Sequence, residues 1–147
     1  MTNIEVKSNS KKEKINIYNS MDFKSMRKAG YLAAETLDFI TKYVKPGITT
    51  EKLDSLCHNF IVNNKAQPAP LNYNGFPKSI CTSVNHVVCH GIPSKKILDK
   101  GDIINIDVTV ILDGWHGDTS RMFIVGEVAS IKAKQIIQTT YKCMMEG

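Results

Sequence analysis

The stretch Ile103 to Gly126, IINIDVTVILDGWHGDTSRMFIVG, constrains the fold more than any other part of the chain. From Ile103 to Leu112, alternation sets Ile104, Ile106, Val108 and Val110 on one face and Asn105, Asp107 and Thr109 on the other. That is the period of a half-buried strand. Asp113-Gly114 follows, and its residues accept the positive φ angles of a type I′ turn, a strong two-residue hairpin signal. A tight turn sets Leu112 opposite Trp115, Thr109 opposite Asp118 and Asp107 opposite Ser120. Asp107 and Asp118 then project from one face as diagonal neighbours, roughly 7–8 Å apart at the backbone.

Two acids so placed repel, or one takes up a proton as its pKa rises. A divalent cation removes the conflict. Aspartate oxygens suit Mn²⁺ or Mg²⁺, and also Fe, Co or Zn when imidazole and further carboxylates join. Geometry alone leaves a second account equally open, in which Asp118 caps or pairs with Arg121 and Asp107 accepts hydrogen bonds from Thr109 or Ser120. His116 is either a ligand on the same face or a surface residue at the hairpin tip, and its place two residues past the turn favours the tip.

Around the hairpin the chain reads as one domain, since 147 residues suffice to bury about two-thirds of an extended chain's surface. Phe23, Met26, Gly30, Ala33, Leu37, Ile40 and Val44 step by three and four, marking one face of a helix that Asn19 or Ser20 caps and Lys45-Pro46-Gly47 stops. A second helix begins near Thr49 or Thr50 and buries Leu53, Leu56, Cys57, Phe60 and Ile61. Ala66 to Lys78 holds three of the five prolines and reads as an ordered loop. Short apolar runs follow at Ser79 to Ser83 and His86 to Cys89. From Ser130, Ala133, Ile136, Ile137, Thr140 and Met144 restore helical spacing.

Composition narrows the class. Apolar residues make up 42% and charged residues 22%, as in soluble globular domains. No apolar run reaches the ~18 residues of a membrane helix, and the first twenty residues lack a secretory apolar core, so a cytoplasmic protein without membrane contact is expected. Cys57, Cys81, Cys89 and Cys143 form no CxxC pair and are expected as reduced thiols, with Cys57 in the core. The formal charge of +5 draws on Lys7, Lys11, Lys12 and Lys14. Residues 1–20 therefore read as a basic, flexible tail ahead of a domain at 21–147. Such a tail suits an acidic surface such as ribosomal RNA, but no motif supports a dedicated DNA or RNA binder.

Three segments carry a resemblance to the type I, bacterial-type methionine aminopeptidases: VKPGITTEKLD (Val44 to Asp54), NYNGFPKSICTSVNHVVCHGIP (Asn72 to Pro93) and GDIINIDVTVILDGWHGDTSRMFIVG (Gly101 to Gly126). In weaker form it runs from about Met21 onward. The resemblance implies the pita-bread α/β (α+β) fold, here an N-terminal half with an antiparallel hairpin and flanking helices. It implies a site for two divalent metal ions (Co, Mn, Fe or Zn) held by two aspartates, a histidine and two glutamates. Asp107 and Asp118 match the two aspartates, Asp118 as the bridging one. His90, in VVCHGIP, matches a histidine that contacts substrate and supports the transition state. Tyr73, Phe76 and Cys81 fall where the family lines its methionine pocket, with Phe76 in place of a frequent tyrosine and Pro70 in place of a frequent cysteine.

The activity implied is removal of the N-terminal methionine from nascent polypeptides with a small second residue, through a hydroxide activated by two metals. A complete enzyme is expected as a monomer. Past Gly126 the sequence holds no histidine and only the glutamates Glu127 and Glu146, neither in a setting like the family's ligand motifs. The chain therefore reads as an N-terminal half, inactive alone. The alternative is a non-catalytic module that binds a partner or a nascent chain. Proline-specific peptidases share the paired-aspartate hairpin, but VVCHGIP followed by NIDVTVILDGWHGDTS fits the methionine branch better.

Overall fold

A computed structural model describes the backbone of residues 2–6 and 13–147 and the side chains of residues 15–126 and 128–147. Its centre is the ribbon foreseen from alternation. Strand β5 (Ile103–Leu112) and strand β6 (Trp115–Ile124) pair antiparallel through all ten positions, in the expected register: Leu112 with Trp115, Thr109 with Asp118, Asp107 with Ser120. Asp113 (φ 51°) and Gly114 (φ 83°) take the left-handed conformation that a type I′ turn demands. On its other side β5 pairs with two short strands, β3 (Gln67–Pro68) near the turn and β4 (Cys81–Val84) nearer its start.

The inward-facing set Ile104, Ile106, Val108 and Val110 is fully buried. Burial of each such side chain stabilises the fold by about 1.5–3 kcal/mol before conformational entropy is charged. Two helices cover this face: α1 (Ser20–Thr41) and α2 (Thr50–Asn63). Asn19 caps α1 in a reciprocal box with Asp22, and Thr49 caps α2. Phe39 of α1 stacks on Phe60 of α2 at 4.5 Å, and Leu37, Ile40, Leu53, Cys57 and Ile61 fill the core between helices and sheet.

One close approach decides where α1 sits. Gly117 lies opposite Val110 on the helix side of β6, and a Cβ there would collide with the backbone of Ala29 and Gly30. The helix therefore rests directly on the ribbon at that point. This also corrects the expected helical face. Ala29, Leu32, Ala33, Thr36, Leu37 and Ile40 are buried, whereas Phe23 and Met26 stand 49% and 46% exposed. The contact at Ala29 fixes the rotation of the helix and leaves its first turns beside the sheet. The helix also ends four residues before Lys45, because the chain begins to turn at Lys42, ahead of the restricted Lys45-Pro46 pair.

Two other segments differ from expectation. His86 to Cys89 forms a turn with Val88 93% exposed, because Asn85 (φ 52°) ends β4 and bends the chain outward. At the N-terminus, where a flexible tail was expected, β1 (Thr2–Val6) and β2 (Glu13–Ile17) pair antiparallel as a separate two-stranded ribbon. Ile15 and Ile17 alternate with polar residues, a strand period that the lysines obscure. Lys7, Lys11 and Lys12 lie outside the described residues. Helix α3 (Ile131–Glu146), capped by Ser130, buries none of its residues. No helix among the described residues is long and apolar enough to cross a membrane.

Candidate functional site

The face of the β5–β6 ribbon away from the helices floors a cleft of about 920 Å³. Asp107 and Asp118 both lie in it, together with His90, Tyr73, Phe76 and Cys81. All six candidates named from sequence thus line one cavity. Each arrives by a separate element. Asp107 and Asp118 come from adjacent strands, and Cys81 from β4, directly opposite Asp107. Tyr73 belongs to a 3-10 turn (Tyr73–Gly75) and Phe76 follows it, in the proline-bounded loop. His90 has φ 52° and precedes Gly91, where a Cβ would run into the Thr82 carbonyl. The Thr82 N–H donates to the Gly91 carbonyl (2.8 Å) and the Gly91 N–H to Ser83 Oγ (3.2 Å), which pins the His90 loop onto β4.

The surroundings of the two acids bear on both accounts left open by sequence. Burial, and after it the negative charge of Asp118, hold the Asp107 carboxyl above the usual carboxylate range, while His90 offsets part of the rise. Arg121 does not supply a counter-charge. It points to the helix side and pairs with Asp38 at 2.9 Å. Asp118 instead accepts from Thr109 Oγ1 at 3.1 Å, and Ser120 Oγ accepts from Asn105 Nδ2 at 3.4 Å. Two acids crowded on one face, with a hydroxyl rather than a guanidinium as neighbour, are chemically suited to hold a divalent cation through oxygen. Among the described residues no three His, Cys, Asp or Glu side chains converge as a ligand set. What is present therefore fits part of a metal site.

The thiol of Cys81 is raised to about 11, first by burial and then by the charge of Asp107. It is a neutral, polarisable wall rather than a nucleophile. His116 lies on the cleft side opposite Ile111 and lines the cavity while remaining exposed, so the tip and cleft readings meet in one position.

Sequence reasoning missed the anchor behind the site. Asp54 of α2, 7% exposed, accepts from the backbone N–H groups of Ser79 (2.8 Å) and Ile80 (3.2 Å), the two residues ahead of Cys81. Beside it, His58 Nδ1 and Ser79 Oγ are 2.8 Å apart, and Lys78 pairs with Glu51 at 2.8 Å. A buried acid on an apolar helix face was the available signal, since an unpaired carboxylate is too costly to bury.

Comparison with known proteins gives the family and the fold. The chain is 68% identical over 133 residues to the methionine aminopeptidase of Rickettsia prowazekii, covering 90% of this chain and 51% of that protein. The crystal structure of methionine aminopeptidase from Rickettsia prowazekii matches with a TM-score of 0.87 at 67% identity, covering 89% of this chain and 52% of that one. That of Thermotoga maritima matches at 0.84 and 31% identity, with 90% and 53% covered. The chain spans about half the length of the curated relatives it matches. Its helices and antiparallel ribbon are those of the pita-bread fold. The family model for metallopeptidase family M24 matches residues 24–147, and the chain belongs to that family.

Proposed function

We propose that this chain carries the methionine pocket and two of the metal-binding carboxylates of a methionine aminopeptidase, acting on peptides with a free N-terminal methionine and a small second residue. The observation that carries the reading is the convergence of Asp107 and Asp118 on one face of a cleft that His90, Tyr73, Phe76 and Cys81 also line. Asp107 and Asp118 would hold divalent ions (Co, Mn, Fe or Zn), with Asp118, which lies farther along the ribbon toward the turn, bridging. When bound, such ions supply Lewis-acid polarisation of the scissile carbonyl and activate water.

The chain's own residues account for binding and orientation. Tyr73, Phe76 and Cys81 offer aromatic and sulfur walls that a flexible thioether fills well and a charged side chain does not. His90, on a loop fixed to β4, reaches the same cavity and donates a hydrogen bond to charge developing at the carbonyl. The raised Asp107 carboxyl makes proton and cation rivals for one site, so cation binding strengthens as pH climbs through the window above the usual carboxylate value. Nascent polypeptides are the substrate class, and the lysine-rich N-terminus suits the acidic surface of the ribosome in the cytoplasm.

With two acids among the described residues that line the cleft, the chain alone is expected to show no turnover of a Met-Ala-Ser peptide in Mn²⁺ or Co²⁺. Methionine release that vanishes in Asp107→Ala would refute that inactivity. The incomplete ligand set also supports the alternative, a non-catalytic module that binds a partner or nascent chain. Calorimetric titration with Mn²⁺ separates the two: heat of binding lost in Asp107→Ala supports the metal site, and no heat from the wild-type chain supports the module.

A further inference from the structure

One stripe of α2 holds the loop that joins two walls of the cleft. Glu51, Asp54 and His58 follow one another on the helix at spacings of three and four, so they share one side of it, beside the core positions Leu53, Cys57 and Ile61. They meet Lys78, Ser79 and Ile80 in turn. Glu51 pairs with Lys78 at 2.8 Å, Asp54 accepts from the N–H groups of Ser79 and Ile80 at 2.8 and 3.2 Å, and His58 Nδ1 lies 2.8 Å from Ser79 Oγ. The cleft walls flank this segment directly, since Phe76 stands two positions before Lys78 and Cys81 follows Ile80. The sheet does not hold it. β4 joins β5 only from Cys81 onward, and among the described residues no main-chain group of Lys78, Ser79 or Ile80 bonds to another main-chain group.

We propose that Glu51, Asp54 and His58 are positioning residues that fix the spacing of the Phe76 and Cys81 walls, and so set which side chain the cleft accepts. Asp54 is 7% exposed and Ser79 2%, so water does not readily replace the carboxylate, and its loss leaves two buried N–H donors unpaired. The loop then gives way at that point first. A wall held from behind excludes side chains wider than its slot, which favours the unbranched thioether of methionine over branched leucine. This selectivity rests on the methionine-pocket reading; the fixing of the wall does not. Asp107 and Asp118 are carried by β5 and β6, whose mutual pairing does not involve the loop, so cation binding is independent of the stripe.

Titration calorimetry of the intact chain with Met-Ala-Ser, with Leu-Ala-Ser and with Mn²⁺ tests this, alongside alkylation of the cysteines followed by mass spectrometry. Asp54→Ala is expected to cut the preference for methionine over leucine about tenfold, the size of one ill-fitting methylene, while Mn²⁺ affinity stays unchanged. Asp54→Asn keeps an acceptor oxygen and restores the preference. A preference unmoved by Asp54→Ala overturns the proposal, as does one lost together with Mn²⁺ affinity, which is the pattern of a general loosening. If the wild-type chain binds neither peptide, or both alike, the methionine reading fails and alkylation decides the positioning. Labelling of Cys81 that Asp54→Ala speeds more than that of the core Cys57 upholds it, and equal or unchanged rates overturn it. If Asp54→Ala fails to fold, Glu51→Ala, which removes an acid 46% exposed, decides by the same comparisons.

Discussion

At the scale of single residues, the site is shaped by a few groups whose surroundings fix their charge. Asp107 has its carboxyl raised in the folded state, so the fold binds this proton more tightly than the unfolded chain does. Its contribution to stability is therefore full below the ordinary carboxylate pKa and is lost as pH rises through the raised value. Urea titrations of the metal-free chain across this window should show that fall, and Asp107→Asn should flatten it. Asp54 contributes through hydrogen bonding, by satisfying two buried N–H groups. Asp54→Ala should cost about 2–4 kcal/mol in urea denaturation, with Asp54→Asn costing less because one oxygen acceptor remains. Cys57 is fully buried with its thiol raised to about 12, and Cys81 is buried, whereas Cys89 and Cys143 are exposed. Alkylation followed by mass spectrometry at about pH 8 should label the exposed pair first, because the thiolate is the reacting form.

At the scale of elements, the ribbon was legible and its surroundings less so. The Asp113-Gly114 turn and the period of two dictate register together, because a slip by one residue would expose Ile104, Ile106, Val108 and Val110. The rotation of α1 was not legible. It depends on Gly117, a position 87 or more residues away in sequence from the Ala29-Gly30 backbone it admits, and no local periodicity carries that information. Strand β3 was hidden for a local reason, since Pro68 disguises an edge segment as loop. Asp107 and Asp118 were placed by alternation and the turn, His90, Tyr73, Phe76 and Cys81 by motif resemblance, while the Asp54 anchor required knowing which chain segment crosses α2. Gly117→Val should destabilise by about 3 kcal/mol or more, measured by urea denaturation, because backbone rather than a side chain stands in the way. Arg121→Ala, by contrast, removes an exposed pair and should cost under about 1 kcal/mol.

At the scale of the whole molecule, the stable part is the two-helix layer on the β5–β6 ribbon, and the cleft is built on its far face. Helix α3 stands apart from this core, with Ile136 and Met144 59% and 63% exposed. Removing residues 131–147 should leave the thermal midpoint nearly unchanged, since no buried side chain is lost. Membership of metallopeptidase family M24 and the pita-bread fold are shown by relatives of which this chain spans about half the length. Asp107 and Asp118 are proposed to hold divalent ions on the cleft face of the ribbon. Paramagnetic broadening of backbone amide resonances by substoichiometric Mn²⁺ tests it most directly. Broadening centred on Asp107 and Asp118, spreading to Cys81 and His90 and abolished by Asp107→Ala, is the predicted result; broadening centred elsewhere, or unchanged by that substitution, contradicts it.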